Sequence, residues 1–297
     1  MKKRISTSVH YVLMIVPGFV WMLLFSIVPM VGIVMAFQDY NPRMGWFGSE
    51  FVGLEHFEYL FSMSDAWRVM RNTLVIAISK MVLNIVVPLA FALMLNEVRN
   101  QRYKKIVQTV VYLPHFLSWV ILASIILNIF GRNGVINAIT GIFGADPVVF
   151  MQDDSIFQPL VIGTDVWKEF GYNAVIYLAA LTGINPNLYE AAAIDGAGRW
   201  KSMWNITIPG LTPTIILLAV LGLGSVLNAG FDQVFNLYNP LVYSTGDILD
   251  TWVYRMGLVQ LQFSLATAAG LLKSVVSFVL IVSSYIIAYK VADYRVF

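Results

Sequence analysis

The sequence has 297 residues, of which 58% are hydrophobic and only 12% are charged, and its formal net charge is +2. Soluble domains have about 45–50% apolar and about 25% charged residues, so this composition excludes an ordinary water-soluble globule. There is no cysteine, which excludes a disulfide framework and thiolate or zinc-finger chemistry. The composition therefore predicts an integral membrane protein, and the apolar segments of helix length described next predict an all-α fold.

Six apolar segments have the length of about 20 residues that a helix needs to cross a bilayer. They cover residues 11–37, 72–95, 106–130, 158–182, 212–230 and 263–289. No small-residue cleavage site follows the first segment, which indicates a retained anchor rather than a cleaved signal peptide. We predict an N-terminal transmembrane helix with an outer loop over residues 1–71, followed by a core of five helices over residues 72–297.

The positions of Lys and Arg predict the side on which each loop lies. With a cytoplasmic amino terminus, the inner stretches contain Lys2, Lys3, Arg4, Arg99, Arg102, Lys104, Lys105, Arg199, Lys201, Lys290 and Arg295. The outer loops then contain only Arg43, Arg68, Arg71, Arg132 and Arg255. Because cytoplasmic loops are enriched in Lys and Arg, both termini and the polar loop at residues 183–211 are predicted to be cytoplasmic.

That loop carries the most informative pattern in the chain, Tyr-Glu-Ala-Ala-Ala-Ile-Asp-Gly-Ala-Gly-Arg-Trp over residues 189–200. Asn187 is predicted to cap a helix that opens near Leu188, with Glu190 in the first turn, where the helix dipole favours a carboxylate. The consecutive alanines keep this helix thin enough to enter a cleft on a partner. Gly196 and Gly198 are predicted to turn the chain sharply. The alternative is an amphipathic surface loop with a chance Glu-Ala-Ala-Ala string.

The pattern resembles the EAA loop of bacterial ABC importer permeases, the cytoplasmic element that receives the ATPase. Glu190, Ala191, Ala192, Gly196, Ile206 and Pro209 match, and the one departure is Ile208, where the family usually has Leu. The resemblance implies a type I permease fold with coupling residues Glu190, Ala191, Ala192, Ala193, Asp195, Gly196, Arg199 and Pro209. Glu190 would be the main polar anchor on the ATPase. For Asp195 and Arg199 the alternative is helix capping and local ion pairing.

Further segments resemble the branch of the family that imports sugars and complex oligosaccharides. They are Phe-Val-Gly-Leu-Glu-His-Phe at 51–57, Asn-Thr-Leu at 72–74, Leu-Pro at 113–114, Trp-Lys at 167–168 and Gly-Tyr at 171–172. The resemblance implies half of a translocation pathway, with a second non-identical permease, two cytoplasmic ATPases, an extracytoplasmic solute-binding protein and a saccharide substrate as partners. No nucleic acid is expected. The chain has no phosphate-binding loop of its own, so ATP and Mg would be bound by the ATPase subunits.

Polar residues inside apolar segments are costly in lipid and usually face a cavity or a partner. The resulting pathway candidates are Lys80, Asn84, Asn128, Asp165, Lys168, Glu169, Asn173, Asn228, Asp232 and Lys273, with the aromatic residues Trp167, Tyr172, Tyr177, Phe231 and Phe235. Three alternatives remain open. Asp165, Lys168 and Glu169 pair with one another on one helix, Lys80 extends out to the membrane surface, and the aromatic residues form interface belts.

If the three candidate lysines face the pathway, an acidic oligosaccharide such as an oligouronate would be favoured. No catalytic or metal site is expected, because His10, His56 and His115 are scattered and no hydrolase or metalloprotease motif occurs. A permease for a non-sugar solute is the main alternative function. A stand-alone secondary transporter is less favoured, because its halves would show an internal repeat.

Overall fold

The computed structural model describes residues 7–224 and 226–292. These residues form two compact units. The first contains the described residues up to Met63 together with Val253–Leu272, and the second contains Ser64–Trp252 together with the described residues from Lys273 onwards. The terminal basic residues Lys2, Lys3, Arg4 and Arg295, which contributed to the predicted orientation, lie outside the described residues.

The first unit begins with a long apolar helical segment. It consists of α1 (Thr7–Met22), a π-helical stretch (Leu23–Ile27) and a 3-10 stretch (Val28–Phe37). Most of its apolar side chains are exposed within the chain, as expected for a helix surrounded by lipid. Its apolar part coincides with the predicted first membrane segment.

A small polar structure follows this helix. Strand β1 (Gln38–Asp39) pairs antiparallel with β2 (Glu50–Phe51), α2 (Gly45–Gly48) lies between them, and α3 (Glu55–Ser62) comes next. The His56 Nε2 atom lies 3.0 Å from the Gln38 carbonyl oxygen, and the Tyr40 amide donates to Ser264 Oγ at 2.9 Å. The second contact attaches this structure to residues near the start of the last long helix.

The second unit contains most of the helices. They are α4 (Ser64–Asn96), α5 (Gln101–Tyr112), α6 (Trp119–Phe130), α7 (Val135–Ile142), α8 (Asp154–Thr182), α9 (Pro186–Ile194), α10 (Arg199–Ser202), α11 (Ile208–Gly224), α12 (Phe231–Leu237), α13 (Tyr243–Gly246), α14 (Leu249–Tyr254) and α15 (Phe263–Ala292). The first residues of α15 belong to the first unit, and so do the last residues of α14. The main core of this unit includes Ile76 on α4, Leu122 on α6, and Phe157 and Val161 on α8.

The predicted third membrane segment, residues 106–130, is not one helix, and that prediction was wrong. Helix α5 ends at Tyr112, a 3-10 turn covers Leu113–Phe116, and Leu117 is extended. Pro114 lacks the amide hydrogen that would continue the helix. Ser118 then caps α6 by accepting a hydrogen bond from the Ile121 amide at 3.4 Å. Two helices with a break between them therefore replace the predicted single helix.

Five helical segments among the described residues are long and apolar enough to cross a bilayer. They are Tyr11–Phe37, Ser64–Asn96, Trp119–Ile142, Arg199–Gly224 and Phe263–Ile286. Helix α8 contains the remaining predicted segment and has 29 residues, but it carries Asp165, Lys168 and Glu169. Its transmembrane assignment stays a prediction, as does the cytoplasmic placement of both termini.

Short polar contacts fix the ends of the helices in the second unit. Asp153 caps α8, and hydrogen bonds from the Ser155 hydroxyl and amide lower the pKa of the Asp153 carboxyl. Asn72 Nδ2 donates to the Ser244 carbonyl at 3.0 Å, and Thr73 Oγ1 accepts from the Leu249 amide at 2.8 Å. The Asn-Thr pair identified in the sequence thus attaches α4 to the segment around α13 and α14.

Gly171 allows α8 to pack closely against α5. A Cβ atom at Gly171 would lie 2.4 Å from the Val111 carbonyl oxygen, whereas a Cβ at Gly163 on the same helix would meet nothing within 4 Å. We therefore expect Gly171→Ala to lower the free energy of unfolding by about 1–3 kcal/mol through overpacking. The measurement is the temperature at which the detergent-solubilised protein loses its monodisperse chromatographic peak. Gly163→Ala is the matched control, and equal behaviour of the two variants would contradict the close packing.

Candidate functional site

The predicted coupling residues lie on and after α9, but the helix starts earlier than the sequence suggested. Asn185, rather than Asn187, is the cap, because its side chain accepts a hydrogen bond from the Asn187 amide at 3.0 Å. Pro186 occupies the first helical turn, where its missing amide hydrogen costs nothing. Glu190 therefore lies in the middle of α9, and the predicted dipole interaction in the first turn was wrong.

Gly196 ends α9 through a specific backbone geometry. Its φ angle is +75°, its amide donates to the Ala193 carbonyl, and the Ala197 amide donates to the Ala192 carbonyl at 2.8 Å. These two bonds form a Schellman motif, in which a residue with positive φ follows the helix. Gly196 thus turns the chain as predicted. Gly198 has φ −75° and ψ 171°, an extended conformation open to any residue, so the same prediction for Gly198 was wrong.

The outward face of α9 is accessible and combines two small alanines with one carboxylate and one large apolar side chain. Glu190, Ala191 and Ala193 are exposed, and Ile194 is 87% exposed. Below this face, the Tyr189 hydroxyl lies 3.0 Å from Thr207 Oγ1 and connects α9 to the start of the next long helix. One side of this short helix is therefore attached to the protein through Tyr189, and the opposite side is exposed.

Of the remaining predicted coupling residues, Ala192 lies within α9 and is partly buried, and the other three follow the helix. Asp195 is exposed at the end of the helix. Arg199 Nε lies 3.9 Å from Glu97 Oε2, and both side chains are largely exposed, so this ion pair contributes little. Pro209 is the second residue of α11.

A second group of predicted site residues surrounds the Lys80 ammonium group. The Lys80 Nζ atom donates to the Ala229 carbonyl at 2.8 Å and to Gln233 Oε1, and it lies 3.3 Å from Asp165 Oδ1. Lys80 is only 6% exposed, so the alternative in which its ammonium extends to the membrane surface is wrong. Asp165 also accepts a hydrogen bond from Asn84 Nδ2 at 3.0 Å. The contacts join α4, α8 and the chain preceding α12.

Gln233 is the member of this group that sequence reasoning missed. It is fully buried, and its Nε2 atom donates to the Val161 carbonyl at 2.7 Å and to Thr164 Oγ1 at 2.9 Å. The amide nitrogen of Gln233 thus donates hydrogen bonds to α8, and its amide oxygen accepts one from Lys80. Its neighbour Asp232 was among the candidates, but no pattern in the sequence distinguishes the buried Gln233 from the exposed Asp232.

A cavity of about 410 Å³ adjoins this group. Its polar lining is provided by Lys80, Asn84, Asp165, Asn173 and Asn228, and the rest is mainly apolar. The Asn84 Oδ1 atom is buried without a hydrogen-bond partner in the described part of the chain. The cavity therefore presents amide groups and a compensated ion pair within an apolar wall, a lining that suits a ligand with hydroxyl groups.

The other two candidate lysines are also paired with carboxylates. Lys273 Nζ donates to Asp250 Oδ1 at 2.6 Å and to Asn228 Oδ1 at 3.0 Å. Lys168 Nζ donates to Glu169 Oε1 at 2.9 Å. Of the predicted pairing within α8, the contact between Lys168 and Glu169 is present, whereas Asp165 pairs with Lys80 on another helix instead.

Lys168 and Glu169 on α8 contact His115, which lies in the turn between α5 and α6. Lys168 Nζ donates to the His115 carbonyl at 2.8 Å and lies 5.6 Å from the centroid of the Trp119 ring. His115 Nδ1 lies 2.7 Å from Glu169 Oε2, and its ring stacks on Tyr172 at 3.9 Å between centroids. No sequence pattern links these groups, because His115 and Trp119 lie about 50 residues before Lys168, Glu169 and Tyr172 of α8.

The remaining pathway candidates have separate environments. Trp167 is about half exposed, and Tyr177 is fully buried beside Ala92, Ala174 and Leu211, outside the lining of the cavity. Phe231 stacks on Phe235 at 5.2 Å between ring centroids. Asp232 is exposed in the first turn of α12, and Asn128 donates to the Ser124 carbonyl of its own helix. The described residues contain no cluster of three or more potential metal ligands.

The contact between Lys80 and Asp165 leads to a double-mutant test. Either Lys80→Met or Asp165→Asn leaves one buried charge without its partner, and we expect a loss of about 3–5 kcal/mol in the free energy of unfolding. The double variant should recover much of this loss, because neither charge is then buried alone. Thermal unfolding in detergent measures all four proteins. Additive losses in the double variant would contradict a direct interaction.

Comparisons with known proteins agree with this architecture. The family model described as "Binding-protein-dependent transport system inner membrane component" matches residues 85–293. The chain is 44% identical over 284 residues to the polygalacturonan/rhamnogalacturonan transport system permease protein YteP of Bacillus subtilis (strain 168), covering 95% of this chain and 88% of the relative.

Solved structures give the same result. The chain is similar, with a TM-score of 0.88 and 37% identity, to a chain in the crystal structure of a bacterial ABC transporter involved in the import of the acidic polysaccharide alginate, covering 95% of both chains. A crystal structure of a bacterial alginate ABC transporter in complex with alginate pentasaccharide-bound periplasmic protein matches with the same TM-score and identity over 96% of both chains. The chain therefore belongs to the family of binding-protein-dependent transport system inner membrane components, and it is a multi-pass permease of the bacterial cytoplasmic membrane with the type I ABC importer fold.

Proposed function

We propose that this permease forms half of the pathway of an ATP-driven importer for oligosaccharides, and that acidic oligosaccharides such as oligouronates are its substrates. The observation that carries the proposal is that two kinds of acidic polymer, polygalacturonan/rhamnogalacturonan and alginate, occur in the names of proteins similar to this chain over 95% of its length. The amide-lined cavity supports the saccharide part of the proposal, because amide groups can donate to and accept from sugar hydroxyls.

The candidate lysines are already paired with protein carboxylates, which limits how they could attract an acidic substrate. Each candidate lysine has a carboxylate close to its Nζ atom, at 3.3 Å for Lys80, 2.9 Å for Lys168 and 2.6 Å for Lys273. These pairs have no net charge and exert little attraction on a distant anion. A substrate carboxylate would have to compete with the protein carboxylate, and Lys273 at the periphery is the best placed lysine for such an exchange. Asn84, Asn173 and Asn228 would contact the neutral hydroxyl groups.

The partners follow from the exposed face of α9. Glu190, Ala191 and Ala193 form a small accessible surface that would enter a cleft on a cytoplasmic ATPase, and the two ATPase subunits would bind ATP and Mg. A second, non-identical permease and an extracytoplasmic solute-binding protein would complete the importer. The crystal structure of the similar alginate transporter with its periplasmic protein supports the last of these.

Helix α9 is well placed to transmit ATPase motion. It is separated from α8 by Gly183–Asn185 and from α11 by the short α10 segment, so a displacement of α9 would move both long helices. Coupling requires that ATP stabilise one of two arrangements of these helices more than the other. Asp195, Arg199 and Pro209 all follow α9 and would orient its carboxyl end rather than bind nucleotide.

The substrate class can be tested with the reconstituted complex in proteoliposomes. We expect ATP hydrolysis to be stimulated by the solute-binding protein loaded with a short oligogalacturonate, and less by the same protein with a neutral maltooligosaccharide. Equal stimulation by the neutral sugar would contradict acidic specificity. Failure of both saccharides, with an intact ATPase, would favour a non-sugar solute.

Lys273→Met tests whether the peripheral lysine contacts an acidic substrate. We expect uptake of the oligouronate to fall about ten-fold, because a charge-assisted hydrogen bond contributes about 1.5–3 kcal/mol. Lys273→Arg should retain part of the uptake. Asp250→Asn serves as the structural control, since it disrupts the same ion pair but leaves the cation. Unchanged uptake in Lys273→Met would remove Lys273 from the pathway.

The role of α9 is tested by the double variant Glu190→Ala, Gly196→Pro. Proline fixes φ near −65° and cannot adopt the +75° observed at Gly196, so the helix end should be lost. We expect the purified variant to retain the second permease but to lose most of the ATPase. Glu58→Ala, an exposed carboxylate on α3, is the control and should retain both subunits. Full retention of the ATPase by the α9 variant would argue against this coupling role.

A further inference from the structure

A second cavity, of about 600 Å³, lies where the end of α4 meets the segment after α9. Leu93, Met94 and Met203 provide apolar lining, and Tyr189 and Trp200 provide aromatic lining. The cavity is separate from the amide-lined one, and none of the pathway candidates contributes to it. The other lining residues include Asn96, Glu97, Arg199, Ser202 and Thr207, and the Arg199 guanidinium lies beside the Glu97 carboxylate. The apolar and aromatic part of the lining suits a hydrocarbon chain.

Trp200, which lines this cavity, is followed by a second exposed tryptophan, Trp204. Trp200 is 74% exposed and Trp204 is 63% exposed. They are four residues apart, about one helical turn, at the start of the apolar helical segment Arg199–Gly224. Tryptophan at the end of a membrane helix prefers the headgroup level, where its ring is apolar and its N–H remains hydrated. Both tryptophans therefore lie where lipid is the expected neighbour.

The charge of the same segment is positive. Lys201 lies between the two tryptophans, is exposed, and has no carboxylate partner among the described residues. Arg99 and Arg102, both exposed, follow Glu97, which lines the cavity. Anionic lipid attracts basic residues at the cytoplasmic surface of a membrane. An anionic headgroup is therefore complementary to this surface, whereas a zwitterionic one is less so.

We propose that an anionic phospholipid of the inner leaflet binds here, with its headgroup at Lys201, its glycerol region against Trp200 and Trp204, and an acyl chain in the cavity. The cytoplasmic placement rests on the proposed function. The site touches the end of α4, Tyr189 on α9 and Trp200 on α10, so a bound lipid contacts the coupling loop and a long helix together. Lipid composition would thereby influence the position of α9.

The test is native mass spectrometry of the full chain released from nanodiscs that contain equal amounts of phosphatidylglycerol and phosphatidylcholine. We expect the wild type to retain phosphatidylglycerol preferentially. Lys201→Gln should lower this retention about five-fold, the factor expected for one basic residue near an anionic surface. Trp200→Ala with Trp204→Ala should lower retention of both lipids. Arg132→Gln with Phe143→Ala, which removes an exposed cation and an exposed aromatic residue elsewhere, should change neither.

The assay requires neither ATPase nor transport, so its failure is distinguishable from failure of the proposed function. Equal retention of the two lipids by the wild type, or unchanged phosphatidylglycerol retention in Lys201→Gln, would overturn the lipid site. If the tryptophan variant keeps its lipid but loses the ATPase on copurification, the surface binds the ATPase instead and the proposal is wrong. Because Lys201 is exposed, Lys201→Gln keeps the test decisive even if the tryptophan variant fails to fold.

Discussion

The burial of the Lys80 ammonium group within a long apolar helix is the constraint on which the second unit depends. A buried charge is tolerated only when opposite charge and hydrogen-bond acceptors surround it. Asp165 on α8 provides the charge, and the Ala229 carbonyl and Gln233 provide the acceptors. Satisfying one cation therefore determines where α4, α8 and the chain before α12 meet, and the amide-lined cavity lies beside that meeting point.

Helix α8 connects this meeting point to the rest of the unit. It contacts α4 through Asp165, braces the break between α5 and α6 through Lys168 and Glu169, and approaches α5 closely at Gly171. Its carboxyl end leads through Gly183–Asn185 into α9. These contacts attach α8 to α4, to α5 and to the break before α6. Under the proposed function, a displacement of α9 would therefore act on several helices through α8.

The pairing of all three candidate lysines changes how substrate recognition is understood. From sequence, three lysines in membrane segments suggest a positive pathway, but each has a carboxylate within hydrogen-bond or ion-pair distance. Such pairs hold helices together. Because each pair has no net charge, it attracts a free anion only weakly. Under the proposed function, Asn84, Asn173 and Asn228 would contact the saccharide hydroxyl groups, and Lys273 would be the lysine that exchanges its protein carboxylate for that of the substrate.

The sequence by itself determined the features that depend on local composition and spacing. Runs of apolar residues specify membrane helices because lipid requires them over about 20 residues, and Gly196 is required because only glycine readily adopts a positive φ at a helix end. The tertiary structure alone decided the partner of Lys80, the importance of Gln233 and the contact of His115 with Glu169. These features join residues from different helices, and no periodicity within one helix records which distant group will satisfy a buried charge or amide.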